Sequence, residues 1–421
     1  MMTSRERVEK ALNHQQPDKV PLDLGATPVS SISAATLDKL RKALKLEARP
    51  VKIQEPLQLL GSVENDVVDT LGVDIVGLWS PSTFFDYKNT DWKPWRLFDG
   101  TEVLVGGGFT VTQDAKGDSY LYPGGDTSVQ PSGKLPKGGY YFDNLFRQEA
   151  VDYDNLNARE DFREDFSLFT NEQLRHYENT VNKLYTETDY AIIGVYGGAS
   201  LGDLAFLPGP GLKRTPGIRN IEDWYAAHYT NPEYINDVYD LQVEIALKNL
   251  HLYKQAVGDK IQAIVVSGTD FGTQRGEYIS PQMFRDIYKP QFKKVNDWIH
   301  ANTNWKTFYH SCGSIVNLLD DMVEIGVDII NPVQCSAEGM DPQFLKDKYR
   351  GKLVFWGGGI DTQKTLPFGT PEEVRAETLE RLKIFSENGG YIVGGIHNIQ
   401  PLTPIENLTA FFEAVHEFNR T

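Results

Sequence analysis

The sequence predicts an α/β protein built as a closed barrel of eight parallel strands, each followed by helix. Three observations lead there. Short apolar runs recur along the chain, at residues 20–25, 73–79, 191–197, 262–268, 306–312, 327–333, 352–357 and 390–394. Helical stretches separate most of them, and short apolar strands alternating with helices pair in parallel. No Gly-x-Gly-x-x-Gly opens a helix after the first run, which argues against an open doubly wound sheet and for a (β/α)8 TIM barrel.

The elements follow in order. Thr3 and Glu6 have the spacing of a capping box, so a helix starts there and runs to about residue 13. Residues 33–46 and 57–71 read as helices, the second stopped by Gly72. From 84 to 150 the texture changes to aromatics, glycines and turn pairs such as Asp99-Gly100, the mark of β-hairpins. This is read as an insertion after the second strand, either decoration or a cover for substrate or partner, within one domain spanning 1–421. Helices are expected at 170–188, 231–257 and 315–325, and after Ser280-Pro281. Thr370 and Thr403, each followed by proline and by glutamate three residues on, are expected N-caps of the last two helices.

Composition narrows the function. With 421 residues, 40% hydrophobic and 24% charged, the chain can bury a large soluble core. A net charge of −16 argues against nucleic acid or an anionic membrane surface as partner. Two cysteines exclude a disulfide scaffold and fit a reducing compartment. No apolar leader or membrane-length run is present, so a cytoplasmic protein is expected.

Barrel chemistry sits at the C-terminal ends of strands. Those ends offer Asp23, Trp79, Tyr196, Asp270 with Gln274 beyond it, His310 with Cys312, Asn331 with Gln334, Asp361, and His397 with Asn398. His310 and Cys312 are two residues apart and share one face of a strand. Alone they fit a core histidine and a buried thiol as well as half a metal site. With His397 from the eighth strand they make three ligands and leave a fourth position free, the arrangement of a catalytic zinc. Cys335 reads as an inert buried thiol. Lys213, Arg214 and Arg219 on the loop 208–220 suggest an anion-binding edge, without a glycine-rich cradle to support it.

Several segments together resemble the uroporphyrinogen decarboxylase-like superfamily, and within it the zinc- and corrinoid-dependent methyltransferases. They are residues 5–8, 14–21, 270–274, 279–281, 310–313, 328–334, 389–393 and 403–407. The resemblance implies a (β/α)8 barrel whose His310 and Cys312 fall on the family's zinc-binding pair. The family's third ligand is usually cysteine, and here the position falls at His397. One thiolate with two imidazoles leaves Zn²⁺ at net +1, a stronger Lewis acid than the two-thiolate version.

The resemblance thus implies a methyltransferase acting between a small O- or N-methylated donor and a corrinoid (cobalamin) held by a partner protein. Asp270, Tyr196 and Glu338 are the expected catalytic or pocket residues, and Asp23, Gln274 and Asn331 the expected cofactor-facing ones. A homodimer is implied by the same resemblance. The porphyrin branch holds propionates with N-terminal arginines, and residues 28–33 contain none. A metal-free lyase using Asp23 and Asp270, and a non-catalytic binding homologue, remain open alternatives at this point.

Overall fold

A computed structural model of the chain describes residues 2–420. Among these, seven parallel strands form one curled sheet: Ile75–Leu78, Ala191–Gly194, Ala263–Ser267, Lys306–His310, Ile329–Asn331, Val354–Trp356 and Tyr391–Ile392, paired in that sequence. The sheet is a curled, parallel α/β one, consistent with a barrel of the TIM type.

The expected first strand is present only as a bridge. Leu22 pairs in parallel with Val393, while the Leu22 carbonyl accepts the Asp74 N–H at 2.8 Å, so this segment touches both ends of the sheet. A longer ladder does not form there for two reasons. Pro21 has no N–H to give, and the Leu22 N–H is taken by the Asp74 carboxylate at 2.9 Å.

Period-two alternation sorts the strand residues. Ile75, Ile193, Val265, Phe308, Ile329 and Trp356 belong to a small inner core, which also takes in Val8, Ala11 and Leu12 of the helix Ser4–Leu12. Their neighbours Ile192, Ile264, Tyr309, Ile330 and Phe355 belong to the larger core. Side chains on a strand project to alternate faces. The parity that places Phe308 inside therefore places His310 inside one step further on, and Asn331 follows Ile329 in the same way.

The capping boxes at Thr3 and Thr370 form as expected, with Glu6 and Glu373 closing them. Thr403 does not cap. Its hydroxyl donates to the Gln400 carbonyl at 2.8 Å, and the helix begins at Ile405 with Pro404 as its N-cap. The expected helix over 57–71 is reduced to Asn65–Leu71, closed by Gly72 in the left-handed region at φ 66°. Glu55 is the reason: its carboxylate takes the N–H groups of Leu57 and Gln58 at 2.6 and 2.8 Å and turns the chain into the strand Leu60–Gly61.

Two antiparallel-rich sheets occupy the region from residue 51 to 144. One joins Leu60–Gly61, Val51–Glu55, Glu102–Val105 and Lys93–Arg96; the other joins Val111–Gln113, Ser119–Leu121, Gly133–Leu135 and Asp143–Asn144. The β-rich region thus starts before residue 84. It is fastened to the 205–215 loop by Ser132 Oγ on the Pro210 carbonyl (2.7 Å), Asn144 Nδ2 on the Ala205 carbonyl (3.0 Å) and the Lys213–Asp126 ion pair (2.7 Å). Among the described residues no helix is long and apolar enough to cross a membrane.

Candidate metal centre

Where the strand Lys306–His310 ends, the chain turns sharply through Ser311, Cys312 and Gly313. Four bonds hold the turn. Ser311 N–H donates to the Asn331 carbonyl (2.7 Å), Ser311 Oγ accepts the Phe271 N–H (2.8 Å), Cys312 N–H donates to Asp270 Oδ1 (2.6 Å) and Gly313 N–H to Gln334 Oε1 (2.7 Å). Gly313 sits at φ 81°, and a Cβ there would lie 2.4 Å from the Gly272 backbone. Only glycine lets these two loops approach so closely.

The result is a triad. Ligand-capable atoms of His310, Cys312 and His397 lie within 4.8 Å of one another. Cys312 Sγ is 3.3 Å from His310 Nε2, and the two imidazole rings stand edge to face at 5.1 Å. Asn331 Nδ2 donates to the Trp356 carbonyl (2.9 Å), so Asn331 Oδ1 faces His310 Nδ1 at 2.6 Å and accepts its N–H. The lone pair of His310 is thereby left on Nε2, pointing at the thiol.

Electrostatics agree with a ligand set. Burial lowers the His310 pKa, with Asp270 opposing, and pushes His397 down to about 3 with help from His310, so both rings are neutral. Neutral imidazole is the ligating form. Burial, then Asp270, pushes the Cys312 thiol well up, and a bound cation would reverse that sign. A divalent ion with a taste for nitrogen and sulfur fits these residues. His310 and Cys312 would hold it as they stand. His397 Nδ1 accepts the Asn398 N–H at 2.7 Å, a bond that ligation through either ring nitrogen would end.

His310 and His397 help to line a cavity of about 760 Å³ together with Asp270, Tyr196 and Trp79, and Cys312 lies just behind its wall. The other expected site residues are placed differently. Asp23 is buried, accepting Trp356 Nε1–H at 2.7 Å and the Ala26 N–H at 3.1 Å, and does not line the cavity. Asn331 likewise lies behind His310 and orients it. Gln274 is exposed and bonded to Gln363 (3.1 Å), and Glu338 is exposed; neither lines the cavity. Both belong to loops that run outward after the strand ends, beyond the point where strand parity controls direction.

Tyr196 lines the cavity with its ring, but its hydroxyl is spent on the Ala246 carbonyl at 2.7 Å, and burial raises its pKa. Cys335 is half-buried, its thiol on the Val333 carbonyl at 3.4 Å and raised to about 12 by burial. The suggested anion edge is neutralised, since Lys213, Arg214 and Arg219 pair with Asp126, Glu149 and Asp165 at 2.7, 2.6 and 2.6 Å.

Five cavity carboxylates escaped the sequence reading: Glu55, Asp86, Glu164, Asp165 and Asp203, of which Asp203 and Glu55 have no cationic partner. Asp203 lies in the loop after Ala191–Gly194, and Glu55 at the end of the strand Val51–Glu55. An aspartate set in the run Gly-Gly-Ala-Ser-Leu-Gly just past a barrel strand was the available signal for the first. Glu55 had none, because its strand belongs to the added sheets.

The fold and the site define the class: a curled parallel α/β sheet of the TIM-barrel kind, with three side chains that could hold a metal beyond the C-terminal ends of its strands. Residues 212–418, just under half of the chain, match the family model of uroporphyrinogen decarboxylase (URO-D). Among solved structures, a methyltransferase from Methanosarcina mazei shares the fold, with a TM-score of 0.57, 16% identity and 99% of each chain covered. No curated protein matches the sequence significantly. The family match contains Asp270, His310, Cys312, Asn331 and His397, and leaves Glu55, Asp203 and the β-rich sheets outside it.

Proposed function

We propose that this protein is a zinc-dependent methyltransferase that moves a methyl group between a small O- or N-methylated donor and the corrinoid of a partner protein. The observation that supports this most is the convergence of His310, Cys312 and His397 within 4.8 Å beside a cavity large enough for a small organic molecule. The likeness of fold to a methyltransferase agrees with it.

Zinc held by one thiolate and two imidazoles would supply Lewis acidity to an oxygen or nitrogen of the donor. The chain's own residues do the rest. Asn331 fixes the His310 ring, and Asp270 holds the Cys312 backbone, so the ligand atoms are set before a donor arrives. Trp79 and Tyr196 give the donor apolar surface, and the β-rich sheets, read as an insertion within a single domain, brace the loop that covers it. The corrinoid partner docks over the same mouth, and a homodimer and a cytoplasmic location belong to this reading.

A metal-free acid–base enzyme is the second reading. It is favoured by Asp203 and Asp270 sharing the cavity, with burial raising Asp203 to about 7. The alternative pair of Asp23 and Asp270 is disfavoured, because Asp23 faces Trp356.

The test is elemental analysis of purified protein together with transfer to super-reduced cobalamin from a panel of methylated donors. Near-stoichiometric zinc, lost together with transfer in the His310→Ala, Cys312→Ala double variant, is expected. Full activity after exhaustive chelation would instead establish the acid–base reading.

A further inference from the structure

Among the described residues, the cavity lining includes six carboxylates and neither lysine nor arginine. The six are Glu55, Asp86, Glu164, Asp165, Asp203 and Asp270. Asp165 is paired with Arg219 from outside the lining, and Asp86 feels Lys213. Glu55 and Asp203 have no such partner. Glu55 is 3% exposed and bonded only to backbone N–H groups, and Asp203 takes the Ala205 N–H on Oδ1 (2.8 Å) and no hydrogen bond on Oδ2. Aromatic faces share the lining, with Trp79 and Tyr196 joined by Phe84 and Phe206, the last two edge to face at 4.7 Å.

Unpaired carboxylates beside aromatic rings attract a desolvated cation and repel an acid. Resting on the methyl-transfer reading, we propose that the substrate is a methylated ammonium cation without an acidic group, held among Asp203, Glu55 and the aromatic rings. An anionic donor such as a methoxybenzoate would enter with no lysine or arginine to meet it. Even a divalent ion on the triad, reduced to net +1 by Cys312, would leave these carboxylates in excess. A neutral aryl ether would strip water from Asp203 and Glu55 and offer nothing back. Burial already pushes both groups up to about 7, which is the strain a bound cation would relieve.

The charge of such a donor also suits the transfer. The C–N bond breaks with its electron pair left on nitrogen, so a neutral amine departs, and the reduced corrinoid acceptor supplies the pair for the new bond to the methyl carbon. No acid is needed. A quaternary nitrogen has no lone pair for a metal, so an ion held by His310, Cys312 and His397 would have to take another donor atom of the same molecule, such as a hydroxyl. Choline is the simplest compound with both ends.

The experiment is calorimetric titration of the zinc-loaded full chain with choline and with 3,3-dimethylbutan-1-ol, its uncharged isostere. Choline is expected to bind at least ~10-fold more tightly, and Asp203→Asn to shrink that preference several-fold by weakening choline. Should that variant not fold, the wild-type comparison decides alone. Equal or tighter binding of the neutral isostere overturns the proposal. Transfer to cobalamin is assayed separately: choline bound without transfer supports the cation site and defeats the methyl-transfer reading. Transfer from 4-methoxybenzoate with no choline binding does the opposite.

Discussion

Asn331 Oδ1 lies 2.6 Å from His310 Nδ1 and decides which nitrogen of that ring is free. The amide is itself fixed by its bond to the Trp356 carbonyl, so one backbone atom sets the tautomer two side chains away. Outer partners of this kind govern metal affinity by holding both ring orientation and basicity. Asn331→Ala is therefore expected to weaken zinc binding ~10–100-fold, measured by competition with a chromophoric chelator. Unchanged affinity would mean that the ring is held by packing alone.

His397 should move when the metal binds. Its Nδ1 takes the Asn398 N–H at 2.7 Å, which requires a lone pair there. Ligation through Nδ1 uses that lone pair, and ligation through Nε2 puts a proton on Nδ1. A zinc-bound crystal structure should show this contact opened beyond hydrogen-bond distance. The same contact retained with metal present would remove His397 from the ligand set.

Cobalt(II) substitution reads the thiolate directly. The wild-type protein should display a sulfur-to-cobalt charge-transfer band that Cys312→Ser abolishes, because Cys312 contributes the one thiol among the three clustered residues. His397→Cys should raise the band about twofold, in proportion to thiolate number. A band that survives Cys312→Ser would point to Cys335 and end this assignment.

Asp23 makes stability depend on pH. Burial raises its carboxyl from 3.8 to about 6, against the pull of its bonds to Ser30, Trp356 and Ala26. A carboxyl with a folded pKa above its unfolded one contributes stability that is complete below 3.8 and lost as pH rises through about 6. The gap from 3.8 to about 6 corresponds to roughly 3 kcal/mol at full ionisation. Urea titrations at pH 4 and pH 7 should show Asp23→Asn gaining on the wild type by up to about that amount. A stability difference that is flat with pH would contradict it.

Arg219 holds the cover of the cavity. Its guanidinium is fully buried, bonded twice to Asp165 (2.6 and 2.8 Å) and to the carbonyls of Pro216 and Asp161 (both 2.8 Å). Arg219→Ala leaves the half-buried Asp165 carboxylate unpaired and empties a fully buried position, and should cost about 3 kcal/mol in chemical denaturation. A loss below ~1 kcal/mol, the range of surface pairs, would show that solvent reaches Asp165.

The sequence by itself determined the parallel α/β plan and the pairing of His310 with Cys312, because both rest on local chemistry. Alternation of short apolar runs with helices leaves few ways to bury a sheet. A spacing of two on a strand fixes a shared face whatever surrounds it. The capping boxes at Thr3 and Thr370 were legible for the same reason, since each closes within four residues.

Only the tertiary structure decided the rest. Thr403 carries the same short-range pattern as Thr370, yet its hydroxyl found the Gln400 carbonyl instead of a helix N–H. The first barrel segment shrank to a bridge because Asp74, 52 residues away, took the Leu22 N–H. Asp23 and Asn331 stand at strand ends like His310, but their partners Trp356 and His310 turned them into supports. Asp203 and Glu55 joined the cavity because a loop and an added sheet fold back over the mouth. Loops and long-range hydrogen bonds are chosen by competition among partners distant in sequence, and that competition leaves no periodic trace in the chain.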